Sequence, residues 1–229
     1  MDRTYSVVIP AYDAAETIGE AIASLLDQSE PPAAIIVVDD GSNDRTAEAA
    51  SAASPLVRVI RQQNAGCGRA TNAGVDAVST LIVAFLDADD LWLPQKARLQ
   101  LDRLEADPGL SGLFAKGRTF KGSASAPNFG PLVDLWVRTT LLMRAELARR
   151  IGPLADDLPG NMGELVDWIA RGREMGMRFE LMDADLAMRR IRPGSLSYTL
   201  DAEKRRGYLM AAKRALDRRR AAADDRSGS

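Results

Sequence analysis

The chain contains 229 residues, 46% hydrophobic and 27% charged, which suits one α/β domain with a sizeable buried core. Its formal net charge of −2 provides no overall positive field that would attract nucleic acid or an anionic membrane. Histidine is absent, which excludes histidine-rich catalytic zinc sites and serine–histidine or cysteine–histidine nucleophile pairs. Proton transfer near neutral pH must therefore use carboxylates or lysines.

Export signals are not visible in the sequence. The apolar run near the N-terminus is too short for a signal peptide and ends at Pro10. The longest apolar stretches, such as residues 81–86, fall far short of the roughly 20 residues that cross a bilayer. Cys67 is the single cysteine, so no internal disulfide requires an oxidising compartment. We expect a cytoplasmic protein that is soluble or at most peripheral to a membrane.

Residues 5–106 alternate short β-branched runs with amphipathic helical patterns, which is typical of a parallel sheet with crossover helices. The predicted strands are Tyr5–Ile9, Ile35–Val38, Val57–Ile60 and Leu81–Leu86. Asp13 is predicted to cap the first helix, because Glu16 follows three residues later and an apolar helical face comes next. The starts predicted for the next three helices are Ser42 or Asn43, Gly66, and Leu93–Pro94.

The second half of the chain has a less obvious order. Residues 117–133 lose periodicity and are rich in Gly, Ser and Pro, so they are predicted to form a surface loop, either a mobile acceptor-side loop or a plain connector. A helix is predicted from Gly163 to about Met175, followed by two short apolar runs at 178–182 and 186–191.

A basic helix is predicted from Asp201 to about Arg220, with Leu209, Ala212 and Leu216 on one face. We expect this helix to dock on the domain with a solvated outer side. The alternative is that its positive charges contact phosphates or anionic lipid. Residues 221–229 are expected to form a disordered tail.

At residues 85–90 an apolar strand runs directly into three acids. On an extended backbone Asp87 and Asp89 project to the same side, so their carboxylates can converge on one ligand. Open parallel sheets bind ligands where their strands end. Mg²⁺ or Mn²⁺ held by one or two carboxylates usually completes its shell with water and phosphate oxygens, which indicates a nucleotide diphosphate. The alternative is that Asp89 or Asp90 only caps the following helix.

A second pair of acids, Asp39 and Asp40, follows the second predicted strand and should face the same crevice. Asp39 can accept hydrogen bonds from a base or ribose. Asp40 precedes Gly41, so it is a candidate for the nucleotide site or a residue that only shapes the turn.

Competing nucleotide chemistries lack their motifs here. The sequence contains no G-x-x-x-x-G-K-[ST] phosphate loop and no G-x-G-x-x-G after the first strand. A phosphatase with an aspartyl nucleophile would need D-x-D at that strand, where Ile-Pro-Ala-Tyr stands at residues 9–12. A nucleotidyltransferase would need a Gly-rich N-terminal loop, which residues 7–17 do not supply.

Four segments over residues 5–96 resemble glycosyltransferase family 2 in order and spacing: SVVIPAYDAAETIGEAIASLLDQ, IIVVDDGSNDRT, RQQNAGCGRATNAG and VAFLDADDLWLPQK. Weaker similarity continues through LLMRAELARRIGPLADDL and GELVDWIARGREMGMRFELM to RRIRPGSLS. The resemblance implies a GT-A type α/β fold, with a Rossmann-like, mostly parallel central sheet flanked by helices. We divide residues 1–220 of this single domain into a nucleotide-binding half (1–110), an acceptor half (111–200) and a C-terminal helix (201–220).

The resemblance also implies roles for individual residues. The residues implied at the nucleobase are Pro10, Ala11, Tyr12 and Asp39. Asp87 is expected near the ribose and, with Asp89, near a Mg²⁺ or Mn²⁺ ion that bridges the diphosphate. Family members generally invert the anomeric centre by direct displacement while a carboxylate takes the acceptor proton.

Three positions depart from the family pattern. Leu165 replaces the second acid of a usual acidic pair, which leaves Glu164 as the favoured base and Asp167 as the second candidate; both are also compatible with ordinary helix-face acids. Arg192 stands where relatives often carry a metal- or phosphate-binding histidine, and it can pair with a diphosphate instead. Arg69 lies near the place of a frequent family arginine and is a candidate contact for the nucleotide.

The sequence therefore predicts a metal-assisted, inverting glycosyltransferase that uses a nucleotide-diphosphate sugar, with uridine diphosphate as the expected carrier. A nucleotide-sugar-binding module that has lost catalysis is the alternative, motivated by Leu165 and Arg192. The acceptor is open among a saccharide, a lipid carrier, a peptide and a small molecule, and nucleic acid is not expected as a partner.

Overall fold

The computed structural model describes residues 3–192 and 201–227, and it confirms an α/β fold with a mixed, mostly parallel sheet. Nine strands form the sheet in the order β3-β2-β1-β4-β8-β6-β9-β5, with β7 paired to β6. The strands are β1 Tyr5–Ala11, β2 Ala34–Asp39, β3 Val57–Arg61, β4 Ile82–Phe85, β5 Leu91–Trp92, β6 Leu110–Lys121, β7 Asn128–Leu135, β8 Leu142–Arg144 and β9 Arg178–Arg190. The helices are α1 Ile18–Leu26, α2 Thr46–Ala53, α3 Cys67–Asp76, α4 Lys96–Ala106, α5 Ala145–Ile151, α6 Glu164–Glu174 and α7 Ala202–Ser227, with 3₁₀ turns at Arg138–Thr140 and Pro159–Asn161.

The N-terminal half forms the parallel part of the sheet, as the sequence predicts. Strand β1 lies between β2 and β4 and is buried along its whole length. Parallel strands are covered by helices on both faces, which is why β1, β2 and β4 are nearly continuous apolar runs. The four predicted strands are confirmed, with ends that differ by one or two residues.

Two of the predicted helix caps are wrong, and the fourth helix begins at Lys96, shortly after the predicted start at Leu93–Pro94. Helix α1 begins at Ile18, and Asp13 lies in a left-handed turn (φ 45°) where its carboxylate accepts a hydrogen bond from the Asn43 amide. Helix α2 begins at Thr46, and the carboxylate of Asp44 accepts the Thr46 amide in place of Ser42 or Asn43. These acids stabilise contacts between two neighbouring loops, which a capping pattern read along one segment does not reveal. Gly66 is the N-cap of α3, as predicted.

The loop predicted at 117–133 is wrong, because most of it forms the β6–β7 hairpin. Strand β6 pairs with β7, β8 and β9, so its glycines serve close packing. A Cβ on Gly117 would lie 2.3 Å from the carbonyl oxygen of Ala187 on β9. The two apolar runs predicted at 178–182 and 186–191 are one continuous strand, β9.

The C-terminal helix α7 differs from its prediction in length and in orientation. It continues to Ser227, so residues 221–227 are helical and not a disordered tail. Its buried side carries Gly207, Ala211 and Ala215, while Leu209 and Leu216 are exposed. A Cβ on Gly207 would lie 2.3 Å from the Pro159 carbonyl oxygen, so small residues allow the helix to pack closely.

The part of the weaker resemblance that follows Arg192 lies outside the described residues. Within residues 3–192 and 201–227, no helix combines the length and the apolar character that crossing a bilayer demands.

Candidate active site

The carboxyl ends of β1, β2 and β4 meet at one edge of the sheet. Ala11 at the end of β1 pairs with Asp39 at the end of β2, and Val8 pairs with Phe85 on β4. The Leu86 amide then donates to the Val8 carbonyl, so Asp87 follows β4 immediately beside β1. The two acidic strand ends therefore open on a common crevice, as the sequence predicts.

Asp39 is fully buried, and one of its oxygens lacks a hydrogen bond. Oδ1 accepts the Ser42 amide at 3.0 Å. Oδ2 lies 3.1 Å from Nε of the exposed Arg61, but without the alignment of a hydrogen bond, and no other described group donates to it. A buried acceptor without a donor is costly, so this oxygen is suited to receive an N–H or O–H from a ligand.

Asp40 is fully engaged with the protein itself. Its carboxylate accepts hydrogen bonds from the Gln62 side chain (2.7 Å) and from the amides of Ala65 (3.0 Å) and Gly66 (2.8 Å). These bonds fix the loop that leads into α3. The contacts support the second of the two roles that its sequence context allows, that of shaping the turn, while a contact of Asp40 with the nucleotide stays a prediction.

The other predicted nucleobase residues lie at the end of β1, where Ala11 pairs with Asp39. Pro10 and Ala11 are buried in β1, and the Tyr12 ring that follows is 47% exposed, with its hydroxyl accepting from the Asn43 side chain. A half-exposed ring next to a buried acceptor can stack on a planar base. Arg69 lies farther along α3, where Nε contacts Asp156 Oδ2 at 2.5 Å.

Each of the three acids after β4 has a different environment. Asp87 is partly exposed, and its carboxylate accepts a hydrogen bond from Nε of Arg138 at 3.3 Å. The Asp89 carboxylate accepts a hydrogen bond from Nε of Arg192 at 3.1 Å. Burial and the charge of Asp87 raise the pKa of Asp89. Asp90 is buried, and burial followed by the charges of Asp87 and Asp89 raises its pKa well above the usual value.

Asp90 has a structural role beneath the site. Its carboxylate accepts the Thr139 hydroxyl (2.5 Å) and the Arg190 amide (2.8 Å). The buried Arg190 side chain donates to the Asp89 carbonyl (2.8 Å), contacts Glu20 on α1 and stacks on the Phe120 ring. The end of β9 is thereby fixed against the turn that carries Asp87 and Asp89.

Arg138 is a central residue that sequence reasoning missed. Its side chain is 10% exposed, and it bridges Asp87 and Glu164, with Nη1 2.7 Å from Glu164 Oε1. The neighbouring carboxylates raise the pKa of Arg138 against the effect of its burial, so the guanidinium stays charged. Its signal in the sequence is a basic residue within an otherwise apolar run, Leu-Trp-Val-Arg.

Glu164 and Asp167 are both buried, but they have different partners. Glu164 is the first residue of α6, after Gly163 in the left-handed conformation, and it shares the Arg138 guanidinium with Asp87 at the crevice. Asp167 accepts Arg171 at 3.0 Å with one oxygen and Arg218 of α7 at 2.8 Å with the other. Asp167 therefore lies in the α6–α7 interface, which leaves Glu164 as the candidate base.

The thiol of Cys67 lies in the same charged environment. Burial raises the pKa of Cys67 to about 12, and the carboxylates of Asp87 and Glu164 act in the same direction while Arg138 opposes them. The thiol is therefore neutral near pH 7 and is not an activated nucleophile.

Two acids, Asp87 and Asp89, form the predicted metal-binding pair. In residues 3–192 and 201–227, no cluster of three or more acids or cysteines has the geometry to hold a metal ion by itself. A divalent ion at Asp89 would therefore need oxygens from its ligand or from water, a coordination that is typical of Mg²⁺ beside phosphates.

Comparisons with known proteins agree with this architecture. The family model described as glycosyl transferase family 2 matches residues 6–124, slightly more than half of the chain. An uncharacterized glycosyltransferase of Nostoc sp. is 41% identical over 95 residues, covering 40% of this chain and 30% of the relative. The succinoglycan biosynthesis protein ExoO of Rhizobium meliloti is 41% identical over 101 residues, covering 43% of this chain and 29% of the relative.

Solved structures share the fold. The S. aureus TarS 1–349 complex with UDP-GlcNAc superimposes with a TM-score of 0.72 at 19% identity, covering 86% of this chain and 61% of that one. The mannosyltransferase PcManGT from Pyrobaculum calidifontis, in complex with GDP-Man and Mn²⁺, gives a TM-score of 0.67 at 18% identity, covering 84% and 58%.

The curated relatives are much longer proteins, since the matched region spans less than a third of their length. The predicted GT-A type fold is confirmed by the structural neighbours, and the predicted family is confirmed by the family model and the curated relatives. This chain belongs to glycosyl transferase family 2.

Proposed function

We propose that the chain transfers a sugar from a nucleotide-diphosphate sugar, with uridine diphosphate as the preferred carrier, to an acceptor hydroxyl with inversion. The single observation that carries this proposal is the buried Asp39 oxygen that lacks a donor beside the carboxylates that follow β4. Relatives of the same fold bind such donors, as TarS does with UDP-GlcNAc and PcManGT with GDP-Man.

In this proposal, the nucleobase and the ribose of the donor bind beside Asp39, Tyr12 and Asp87. Asp39 Oδ2 accepts the imide N–H of uracil, and the half-exposed Tyr12 ring stacks on the base. A base without an N–H at that place would leave Oδ2 buried without a hydrogen bond, which selects against it. Asp87 faces the ribose, held in place by Arg138.

The diphosphate lies next to Asp89 and Arg192. Two carboxylates with phosphate oxygens are a sufficient donor set for Mg²⁺ or Mn²⁺, so the residues fit a divalent ion. When bound, the ion stabilises the negative charge of the departing nucleotide diphosphate. Arg192 is 3.1 Å from Asp89 and adds a fixed positive charge that can turn to the phosphates when a donor binds.

The acceptor oxygen attacks the anomeric carbon on the face opposite the diphosphate. The bond from that carbon to the diphosphate oxygen breaks with both electrons leaving on the nucleotide, and Glu164 takes the acceptor proton. Arg138 positions Glu164 and Asp87 relative to each other through its two contacts. A cytoplasmic location is part of this proposal, and the acceptor class is open among a saccharide, a lipid carrier, a peptide and a small molecule.

One observation favours a second function, a nucleotide-sugar-binding module without turnover. The carboxylate of Glu164 is in a 2.7 Å ion pair with the buried guanidinium of Arg138, so the group that would take the acceptor proton is already engaged. The neighbouring position is Leu165, so no second acid follows Glu164 directly.

Calorimetric titration of UDP, GDP and dTDP, with and without Mn²⁺, tests the donor site. We expect micromolar binding of UDP that Asp39→Asn weakens by about tenfold or more, since the amide presents a donor to the N–H of the base. Asp183→Asn is the matched control, because Asp183 is 88% exposed on β9. Failure of all three nucleotides to bind would overturn the proposal. Binding of a UDP-sugar without turnover in any acceptor screen would support the second function.

A further inference from the structure

Positive charge is concentrated in helix α7, although the whole chain is slightly acidic. Residues 202–224 contain eight basic and three acidic side chains, a surplus of five positive charges. Because the formal net charge of the chain is −2, the remaining residues carry a surplus of seven negative charges. Helix α7 is therefore a local region of positive charge on a chain that is acidic elsewhere, and such a region attracts an anionic surface.

Helix α7 is attached to the domain through its small residues and its half-buried arginines. Gly207, Ala211 and Ala215 face the domain, and Arg214 and Arg218 pair with Asp157, Glu174 and Asp167. These pairs fix the rotation of the helix about its own axis. The opposite side of the helix is thereby held towards solvent.

The outward side has an apolar centre and a basic border. Leu209 and Leu216 are 71% and 47% exposed, and their spacing places them on one line along the helix. The exposed side chains around this line include Arg206, Lys213, Arg219 and Arg220, with Asp217 and Asp224 as acids on the same side. We call these residues the α7 outer face.

We propose that the α7 outer face binds the surface of an anionic lipid bilayer, with Leu209 and Leu216 inserted among the headgroups. Basic side chains around exposed leucines are typical of helices that lie in the membrane interface, where ionic attraction and apolar burial act together. A nucleic acid would satisfy the arginines but would leave both leucines in water. The combination of charge and apolar exposure therefore favours lipid.

The position of α7 gives this contact a consequence for the candidate active site. A Cβ on Gly163 would lie 2.9 Å from the Gly207 carbonyl oxygen, so α7 crosses the start of α6 at the residue before Glu164. Tyr208, the residue after Gly207, is close enough to Glu164 to feel its charge: burial raises the pKa of Tyr208, and the charge of Glu164 raises it further. Bilayer contact at the outer face would thus bring Glu164 to within about one helix diameter, roughly 10 Å, of the lipid surface.

Sedimentation of the full chain with vesicles tests the proposal. One set of vesicles contains phosphatidylcholine alone, and the other also contains phosphatidylglycerol at about three parts in ten, enough to give a negative surface potential. We expect binding only to the anionic vesicles, weakening as salt is added. No donor or acceptor is present, so failure here leaves the transferase proposal intact.

Two sets of variants separate the ionic and apolar contributions. Leu209→Gln with Leu216→Gln should reduce partitioning by about tenfold or more, because both apolar contacts are lost. Arg206→Gln with Lys213→Gln should reduce it by about fivefold for each charge removed. Leu81→Gln is the matched control, since Leu81 is 58% exposed and lies just before β4, away from α7 in the sequence. Thermal unfolding of each variant should match that of the wild type, because none of these side chains is buried.

A dye attached through Leu209→Cys gives a second measurement on the same face. Cys67 should react little near pH 7, since its pKa is raised to about 12. A blue shift of an environment-sensitive dye on anionic vesicles is expected. Equal binding to both vesicle types, unchanged binding of the leucine pair variant, or a dimer in light scattering that this variant abolishes would each overturn the proposal.

Discussion

Asp87 and Asp89 follow the buried parallel strand β4, whereas the arginines that face them, Arg138 and Arg192, come from the second half of the chain. Asp87 faces Arg138 and Asp89 faces Arg192. The acids are placed by local sequence, since each leaves the sheet where its own strand ends. The arginines are placed by the second half of the chain, whose strands join the same sheet beyond β4. The comparison shows that charge balance in the crevice is a tertiary property, and the following predictions test it.

The largest expected effect is at the candidate base. Glu164→Gln should lower turnover of a UDP-sugar by about 10²–10⁴-fold, because the acceptor proton loses its carboxylate. UDP affinity should stay within about threefold, since the substitution leaves the residues around the base and ribose unchanged. Turnover is measured by release of UDP, and affinity by calorimetry.

Asp167→Asn is the comparison for that experiment, because Asp167 is on the same helix but pairs with Arg171 and Arg218. It should retain turnover to within about tenfold while lowering the stability of α7 packing. A larger loss of turnover in Asp167→Asn than in Glu164→Gln would reverse the assignment of the base.

The second largest effect is expected at Arg138, which bridges Asp87 and Glu164. Arg138→Ala should lower the free energy of unfolding by about 3–5 kcal/mol, because it leaves Asp87 and Glu164 without their shared buried cation. Urea denaturation measures the change. Arg98→Ala, which removes an exposed pair with Asp102 on α4, should cost less than about 1 kcal/mol. Similar losses in the two variants would mean that the bridge contributes no more than a surface pair.

A smaller effect is expected where Arg192 faces Asp89. Arg192→His replaces a cation that cannot ligate a metal by a side chain that can, so Mn²⁺ should enhance UDP affinity about tenfold more than it does in the wild type. Calorimetry with Mn²⁺ or with a chelator measures the difference. Arg98→His on α4 should show the wild-type response. An unchanged response in Arg192→His would separate Arg192 from the metal site.

The smallest net effect is expected at Lys96, an isolated base in the N-terminal half. Its amino group donates to Gln100 Oε1 at 2.7 Å and lies over the Trp92 ring, and burial lowers its pKa well below the usual value. The unfolded chain therefore binds the proton more strongly than the folded chain. Stability should rise with pH from the lowered folded pKa up to about 10.4, the pKa of an unfolded lysine.

Lys96→Met should remove that rise and change stability near pH 7 by no more than about 1 kcal/mol, because relief of the charge penalty offsets the bond lost to Gln100. Chemical denaturation at several pH values between 7 and 10.5 compares the two slopes. Equal slopes would show that Lys96 keeps its proton in the folded protein.

Much of the parallel half could be predicted from the sequence, because its strands are short apolar runs and its helices have a regular apolar face. The second half was harder. The glycine-rich stretch after residue 117 belongs to β6 because neighbouring strands need close approach there, and Gly117 lies against the Ala187 carbonyl oxygen. A search for loop-forming residues cannot distinguish glycine that forms a turn from glycine that makes room for a neighbour.

The same limit applies to α7 and to the candidate site. The spacing of Leu209, Ala212 and Leu216 indicates a helix, but the buried side is the one with Gly207, Ala211 and Ala215, because only small residues allow contact with the Pro159 carbonyl oxygen. Apolar character alone does not decide which face a helix buries when a close approach is required.

By itself, the sequence determined the family, the acidic strand ends at Asp39 and Asp87, and the crevice that they share, because these depend on local patterns and on the geometry of parallel strands. Only the tertiary structure decided that Asp40 holds a loop, that Asp167 holds α7 and that Arg138 joins Asp87 to Glu164. The physical reason is that a carboxylate's role depends on which donors surround it, and those donors come from distant parts of the chain.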